Sequence, residues 1–181
     1  MSVMSQMHQI QMSYISSEDR VLFRLNTKNR QEFRFWMTRR YTAILWRTLA
    51  RVVNEAGKSA KAISPAPVQD ELAKSAEQEI KHNEVVSQGD FDTAYLESSY
   101  LPLGDAPTLL FSVAIKPGPS SRAMLCLHPE KGEGIELALN EQILHSLCKL
   151  IIDTSQKAQW NLDLSFGSGS AQGDEAPTGW N

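Results

Sequence analysis

Four side chains near the start of the sequence have the types and spacing that bind anionic groups. Arg20, Arg24 and Arg34 fall at alternating positions of two apolar runs, and Trp36 continues the second alternation. An extended strand places every second side chain on one face, so we expect these four to share the outward face of a sheet. Arginine pairs with carboxylates and phosphates, and tryptophan stacks on a base. The pattern predicts a surface for an acidic partner or, alternatively, for single-stranded nucleic acid.

A second basic pair, Arg39 and Arg40, lies at the predicted start of a helix with Thr38 as its N-cap. Positive charge in the first turn opposes the helix dipole at a cost of roughly 0.3–1 kcal/mol each. Two guanidinium groups beside free backbone N–H groups would suit a carboxylate or a phosphate. An internal ion pair, for example with Glu71 or Glu77, would explain the pair equally well.

Charge is unevenly distributed along the chain. Residues 20–51 contain nine bases and one acid, whereas residues 52–106 contain four bases and ten acids. Such asymmetry indicates possible partners better than net charge does. It also allows a plainer interpretation, in which the basic face is solvated or packs on the acidic middle segment.

Motifs for catalysis, metal binding or cofactors are absent from the sequence. The spacing of the histidines relative to Cys126 and Cys148 matches no metal-binding motif, and no glycine-rich phosphate loop follows a strand. The histidines are His8, His82, His128 and His145. We therefore predict that the protein is not an enzyme and that it has neither a metal site nor a cofactor.

The elements that must position the basic residues come from an apparent internal repeat. Residues 20–51 and 122–153 align without a gap, with apolar residues at corresponding positions. Internal similarity of this kind constrains the architecture of a protein. The predicted fold class is α+β, a tandem duplication of a βββα unit, with each antiparallel meander packed on a helix, around a pseudo-two-fold axis.

Four regions follow from this interpretation. Residues 8–57 form the first, basic βββα repeat, with a helix that ends at Gly57; residues 58–106 form an acidic linker and helix insert. Residues 107–160 form the second βββα repeat, and residues 161–181 form a disordered tail. The insert helix is predicted over 69–86, with a thin apolar stripe of Leu72, Ala76 and Ile80.

The second sheet has a different predicted outward face, since Leu109, Phe111, Val113 and Ile115 are expected to point inward. That outward face is small and largely apolar: Leu110, Ser112, Ala114, Met124, Cys126, His128, Glu136 and Ala138. Extended apolar patches usually mark an interface. Residues 87–106 or the first sheet could cover this face, or it could form a homo-oligomer contact through Met124, Cys126 and Ala138.

Composition sets the broad class of protein. The 181 residues carry a net charge of −3 and are 41% hydrophobic, which is typical of a globular chain. No apolar run reaches the length of a membrane span, and two cysteines in apolar stretches suit reduced, buried thiols. We expect a cytoplasmic, non-enzymatic adaptor or assembly subunit with a protein partner, no membrane contact and possible nucleic-acid binding.

Overall fold

Alternating apolar residues at the start of the chain form three antiparallel strands. The computed structural model describes residues 7–61, 71–118 and 122–166. The strands are β1 (Met7–Ile15), β2 (Arg20–Thr27) and β3 (Glu32–Met37). Short turns join them, and such turns allow only antiparallel pairing. The predicted first meander is confirmed.

A second meander continues the same sheet. Its strands are β4 (Thr108–Pro117), β5 (Ala123–Pro129) and β6 (Ile135–Leu139). The six strands lie in chain order, and every neighbouring pair is antiparallel except β3 and β4. That parallel contact is short, since only Phe35 with Thr108 and Trp36 with Leu109 are in register. The result is one mixed sheet.

Three helices complete the α+β fold: α1 (Arg39–Lys61), α2 (Glu71–Ser87) and α3 (Glu141–Lys157). The predicted N-cap Thr38 forms, because its hydroxyl accepts from the Tyr41 N–H at 3.1 Å. Asn140 caps α3 in the same way, since its side chain accepts from the Ile143 N–H at 2.7 Å. The predicted stop at Gly57 is wrong, since α1 continues through it to Lys61.

The core lies between the inner face of the sheet and helices α1 and α3. The apolar rows of the two meanders meet the inward stripes of the two helices, as the repeat pattern predicted. Its fully buried large side chains include Phe23, Leu25, Phe33, Phe35, Met37, Leu45, Leu49, Leu125, Leu127, Ile135 and Leu137. Helix α1 contacts β4, and α3 contacts β1. Each helix therefore reaches across to the other meander.

The orientation predicted for the start of β4 is wrong. Leu110 is buried in the core, whereas Leu109 and Phe111 are exposed. The register between β4 and β5 shifts between Leu110 and Ser112. A bulge of this kind reverses the alternation on one side of it, so only Val113 and Ile115 point inward as predicted.

Helix α2 packs through a face other than the predicted stripe. Ala76 and Ile80 are exposed, while His82 is buried against His145 of α3 and Phe166. The side chain of Leu72, the third member of the stripe, lies outside the described part. The predicted stripe counted only apolar residues, and the contact is made by a buried imidazole.

The chain that follows α3 is ordered as far as the structure describes it. Trp160 packs edge-on against Tyr14, and its indole N–H donates to Asp19 at 3.1 Å. Phe166 is 3% exposed and packs on Trp46. Residues 161–166 of the predicted tail thus include a core residue, while residues 167–181 and the linker residues 62–70 lie outside the described part.

Candidate interaction surfaces

The structure places the four predicted strand residues on one outward face. Arg24 lies opposite Arg34, and Leu22 lies opposite Trp36, in the register of β2 with β3. Arg20 lies at the start of β2 on the same side by the alternation of the strand. All of these side chains are partly buried. The sequence placed these residues on one face, and the contacts below favour the interpretation in which that face packs on the acidic middle segment.

A segment of residues 94–100 runs over this face. The side-chain N–H of Gln9 donates to the Ala94 carbonyl at 3.1 Å, and Asn26 donates to the Leu96 carbonyl at 2.7 Å. At the other end, the Glu32 N–H donates to the Tyr100 carbonyl at 2.9 Å. The segment thus spans from β1 to β3 across the outward side of the first meander.

Internal partners neutralise the two central arginines of the face. The Arg24 guanidinium contacts a Glu97 carboxylate oxygen at 2.6 Å and lies 4.7 Å from the centre of the Tyr95 ring. The Arg34 Nε lies 2.6 Å from an oxygen of Glu32, whose side chain is fully buried. Both charges are matched by carboxylates of the same chain. This part of the predicted basic face carries little net charge for a partner.

The two arginines at the start of α1 have different surroundings. Arg39 Nε donates to the Trp160 carbonyl at 2.8 Å. Hydrogen bonds from Trp160 and Tyr14 lower the pKa of the Asp19 carboxyl, and the nearby charge of Arg39 adds to that effect. Arg40 is exposed, and no carboxylate lies within ion-pair distance of it among the described residues. Arg39 is exposed too, but its guanidinium is held by the Trp160 carbonyl, whereas Arg40 has no described partner.

Helix α1 presents an exposed basic row that the sequence analysis did not single out. Arg40, Ile44, Arg47 and Arg51 are all exposed, and Ile44 is 37% exposed. Their spacing of four, three and four residues places them on one helix face. No ion pair involves these arginines within the part of the chain that the structure describes. The helical spacing from Arg40 was the signal that could have revealed the row.

A small apolar patch lies where the two meanders meet on the outward side of the sheet. Leu109 is the parallel partner of Trp36, and Phe111 follows at 65% exposed. The bulge in β4 turns these two side chains outward. The patch is a candidate for contact with another molecule, but it carries no charge that would select a partner.

The predicted oligomer face of the second meander is not an exposed apolar surface. Met124 is 1% exposed and Cys126 is 3% exposed, while Ala138 is half-buried. The turn after β4 covers Met124, since a side chain on Gly118 would lie 2.4 Å from its Cγ. Leu110 belongs to the core. Folding within the chain buries the larger apolar members of this face and leaves Ala114 exposed.

Three polar side chains of the same face converge. Cys126 and His128 alternate on β5, and Glu136 of β6 is the cross-strand partner of Cys126. One sulfur, one imidazole nitrogen and one carboxylate oxygen lie within 4.8 Å of one another. Burial raises the pKa of the Cys126 thiol, and the nearby Lys116 opposes that shift. The sequence placed all three residues on one outward face, but it could not show the register that sets Glu136 opposite Cys126.

Burial also shifts the pKa of Cys148 and of the histidine pair His82 and His145. Both cysteines are free and buried, as predicted, and burial raises the pKa of Cys148 to about 12. His82 Nδ1 lies 3.0 Å from His145 Nδ1, and burial lowers the pKa of both rings, that of His145 to about 4. The histidine pair joins α2 to α3.

Comparison with known proteins gives no relative: no family model, no curated protein and no solved structure matches the chain. Within the described residues, no helix combines the length and apolarity needed to cross a bilayer.

Proposed function

We propose that the protein is a non-enzymatic interaction module, an adaptor or assembly subunit, that binds an acidic protein partner. The binding surface is the exposed row Arg40, Ile44, Arg47 and Arg51 of α1. The observation that carries the proposal is that three exposed arginines on one helix face have no carboxylate within ion-pair distance among the described residues.

Energetics support a role for this row outside the fold. Like charges four residues apart, as in Arg47 and Arg51, destabilise a helix by roughly 0.2–0.5 kcal/mol. Arg40 adds an unfavourable charge in the first turn. A local rule broken without compensation from the described residues suggests that the compensation comes from a partner.

Ile44 favours a protein partner over nucleic acid. It is an exposed aliphatic side chain between Arg40 and Arg47. An acidic amphipathic helix offers carboxylates for the arginines and an apolar side chain for Ile44. A phosphate backbone offers only the charges. The predicted sheet face supports the nucleic-acid alternative less well, because Arg24 and Arg34 are paired internally and Trp36 is partly buried.

The test is capture of partners from the native host by the wild-type chain and by a triple variant, Arg40→Glu, Arg47→Glu and Arg51→Glu. We expect a stoichiometric acidic protein with the wild type and its loss with the variant. The charge-matched control is Lys28→Glu, Arg122→Glu and Lys131→Glu, at exposed positions elsewhere. This control changes the net charge equally and should keep the partner.

A second variant, Ile44→Ser, distinguishes the two classes of partner. It should weaken a protein complex about tenfold and leave oligonucleotide binding unchanged. Binding of an oligonucleotide that falls steeply with salt, by counterion release, would replace the proposal with its alternative. Capture that survives the triple reversal would reject the α1 surface.

We also propose that the fold arose by tandem duplication of a βββα unit around a pseudo-two-fold axis. Support comes from the element boundaries, because β2, β3 and α1 begin at Arg20, Glu32 and Arg39, and β5, β6 and α3 begin 102 or 103 residues later. The reciprocal contacts of α1 with β4 and of α3 with β1 are those a two-fold would produce. An experimental structure in which β1–β3–α1 and β4–β6–α3 fail to superpose would refute duplication.

A cytoplasmic location is part of the same proposal. It is supported by two free, buried cysteines, which suit a reducing compartment. Fractionation of the native host would test it.

A further inference from the structure

We infer that Cys126, His128 and Glu136 form a binding site for a zinc-class divalent cation on the outward side of the second meander. This site is separate from the α1 surface and does not depend on the function proposed above. It also departs from our expectation of no metal site.

Two paired strands, β5 and β6, supply the three side chains of the site. Cys126 and His128 are two residues apart on β5, so their side chains share one face. Glu136 stands directly opposite Cys126 on β6. Cross-strand neighbours on one face have Cβ atoms about 4.5–5.5 Å apart, which brings a carboxylate beside the thiol. The three donor atoms lie within 4.8 Å of one another.

Those distances are close to what a bound zinc ion requires. Bond lengths of about 2.0–2.3 Å to nitrogen, oxygen and sulfur give a tetrahedron with donors roughly 3.5 Å apart. Small rotations of the three side chains, which move their donor atoms by about 1 Å or less, would bring the donors to this spacing. The backbone of the two paired strands need not move.

The donor set selects the class of metal. A thiolate, an imidazole and a carboxylate together suit Zn²⁺ and its neighbours in the transition series, while Ca²⁺ and Mg²⁺ prefer oxygen donors alone. Three protein ligands leave a fourth tetrahedral position for water, as in open zinc sites. His128 is exposed and Glu136 is half-buried, so the fourth position faces solvent.

Two neighbours hold the ligands in place. Lys116 of β4 is ion-paired with Glu136 and keeps that carboxylate next to Cys126. Gly134 lies close to the imidazole, because a Cβ at that position would be 2.5 Å from His128 Nδ1 and 2.2 Å from the Leu127 carbonyl oxygen. The absence of a side chain there lets the hairpin between β5 and β6 approach the ring and limit its movement. Outer-shell support of this kind is typical of metal sites.

Titration of the metal-free full-length chain with Zn²⁺, followed by calorimetry, tests the inference. We expect one equivalent of Zn²⁺ per chain. His128→Gln and Glu136→Gln should each weaken binding at least tenfold, since even outer-shell changes reduce metal affinity by about 10–100-fold. Both positions are incompletely buried, so these variants keep the fold, which circular dichroism verifies.

Cobalt gives a readout that a structural role would not produce. Co²⁺ bound to Cys126 should show a thiolate-to-cobalt absorption band that disappears in Cys126→Ser. The matched controls are Cys148→Ala, which removes the other thiol, and His8→Gln, which removes an exposed histidine elsewhere. Both should retain the band and the zinc stoichiometry. Absence of stoichiometric binding in the wild type, or a band unchanged in Cys126→Ser, would overturn the inference.

Discussion

The Glu32 carboxylate shows how a single residue can decide what a charged surface does. Its side chain is fully buried, one oxygen accepts from Arg34 Nε at 2.6 Å, and the other accepts from the Ser98 N–H at 2.8 Å. A buried charge is tolerated only when such partners are present. Arg34 therefore stabilises the fold by neutralising Glu32, and its charge is not free to bind a ligand.

Replacing Arg34 by methionine should destabilise the protein by about 3 kcal/mol, the lower end of the range for breaking a buried pair, because Arg34 is itself partly exposed. The loss follows from leaving the Glu32 charge buried and without its cation. Urea denaturation measures the free energy of unfolding. The double variant, Arg34→Met with Glu32→Gln, should be more stable than Arg34→Met alone. If the stability losses of the two single variants add instead, the ion-pair explanation is wrong.

Arg40→Met is the matched control on the same type of residue. Arg40 is exposed, has no described carboxylate partner and opposes the helix dipole. Its removal should change stability by no more than about 0.5 kcal/mol, in the stabilising direction. A large loss in this control would mean that Arg40 has a structural role.

The sequence predicted the shared face of Arg24 and Arg34 but not their partners. Alternation along a strand is a local property, so the side on which each residue lies can be read from the pattern. Glu97 reaches Arg24 from an irregular segment far along the chain. Irregular segments follow no period, and no sequence rule places Glu97 over β2.

At the scale of elements, the His82–His145 contact makes the docking of α2 on α3 sensitive to pH. At 3.0 Å between the two Nδ1 atoms, one ring donates and the other accepts, so the accepting ring is neutral. Burial is the main cause of the lowered pKa values, and the other charged groups acting on the pair are Lys81 on α2 and Glu141, Lys149 and Asp153 on α3.

The sign of the effect follows from linkage. In the undocked state both histidines titrate near ~6.5, whereas the pKa of His145 in the folded state is about 4. The undocked state therefore binds more protons at acidic pH. The stability of the docked helix should be complete above about pH 6.5 and should decline as pH falls toward 4.

Hydrogen exchange of the α2 backbone amides at pH 7 and pH 5 measures this decline. His145→Phe should flatten the pH dependence, because phenylalanine does not titrate. His128→Gln, at an exposed position, should leave the dependence as in the wild type. An equal pH dependence in His145→Phe would assign the effect to other groups.

The segment after α3 should act as a structural element of the core. Phe166 packs on Trp46 of α1 and on His82 of α2. Phe166→Ala should cost about 3–5 kcal/mol, the usual range for a buried phenylalanine. Phe111→Ala, at a position that is 65% exposed, is the matched control and should cost no more than about 0.5 kcal/mol. Thermal unfolding of the two variants gives the comparison.

Elements with a strong period were predictable, and those decided by contacts were not. The meanders and the helices after Thr38 and Asn140 follow from alternation, helical spacing and capping residues. The sequence did not predict the bulge at Leu110, because Leu109, Leu110 and Phe111 are all apolar and fit either alternation. The docking face of α2 was missed because the burial of His82 depends on His145 and Phe166.

At the scale of the whole molecule, the two meanders should unfold together. They share one sheet, and α1 and α3 each contact the other meander. Neither meander therefore has a core of its own. Tryptophan fluorescence and circular dichroism should give coincident urea transitions. Two separated transitions would show that the halves are independent domains.

The sequence predicts only part of the arrangement that forms the two candidate sites. Residues 20–51 and 122–153 could be aligned because the apolar positions recur at one offset. Glu136 meets Cys126 only because β5 and β6 pair in a particular register. The basic row of α1 could be predicted from helical spacing alone, but the structure was needed to show that no described carboxylate pairs with it.

The short parallel contact between β3 and β4 has a consequence for the order of folding. Each meander forms from neighbours in sequence, whereas this contact requires the chain between Met37 and Thr108 to bring its ends together. The entropy of closing such a long loop is lost before the few hydrogen bonds of the contact can form. Refolding should therefore have its slowest step at this junction, and substitutions at Thr108 should accelerate unfolding while leaving the early collapse of each half unchanged.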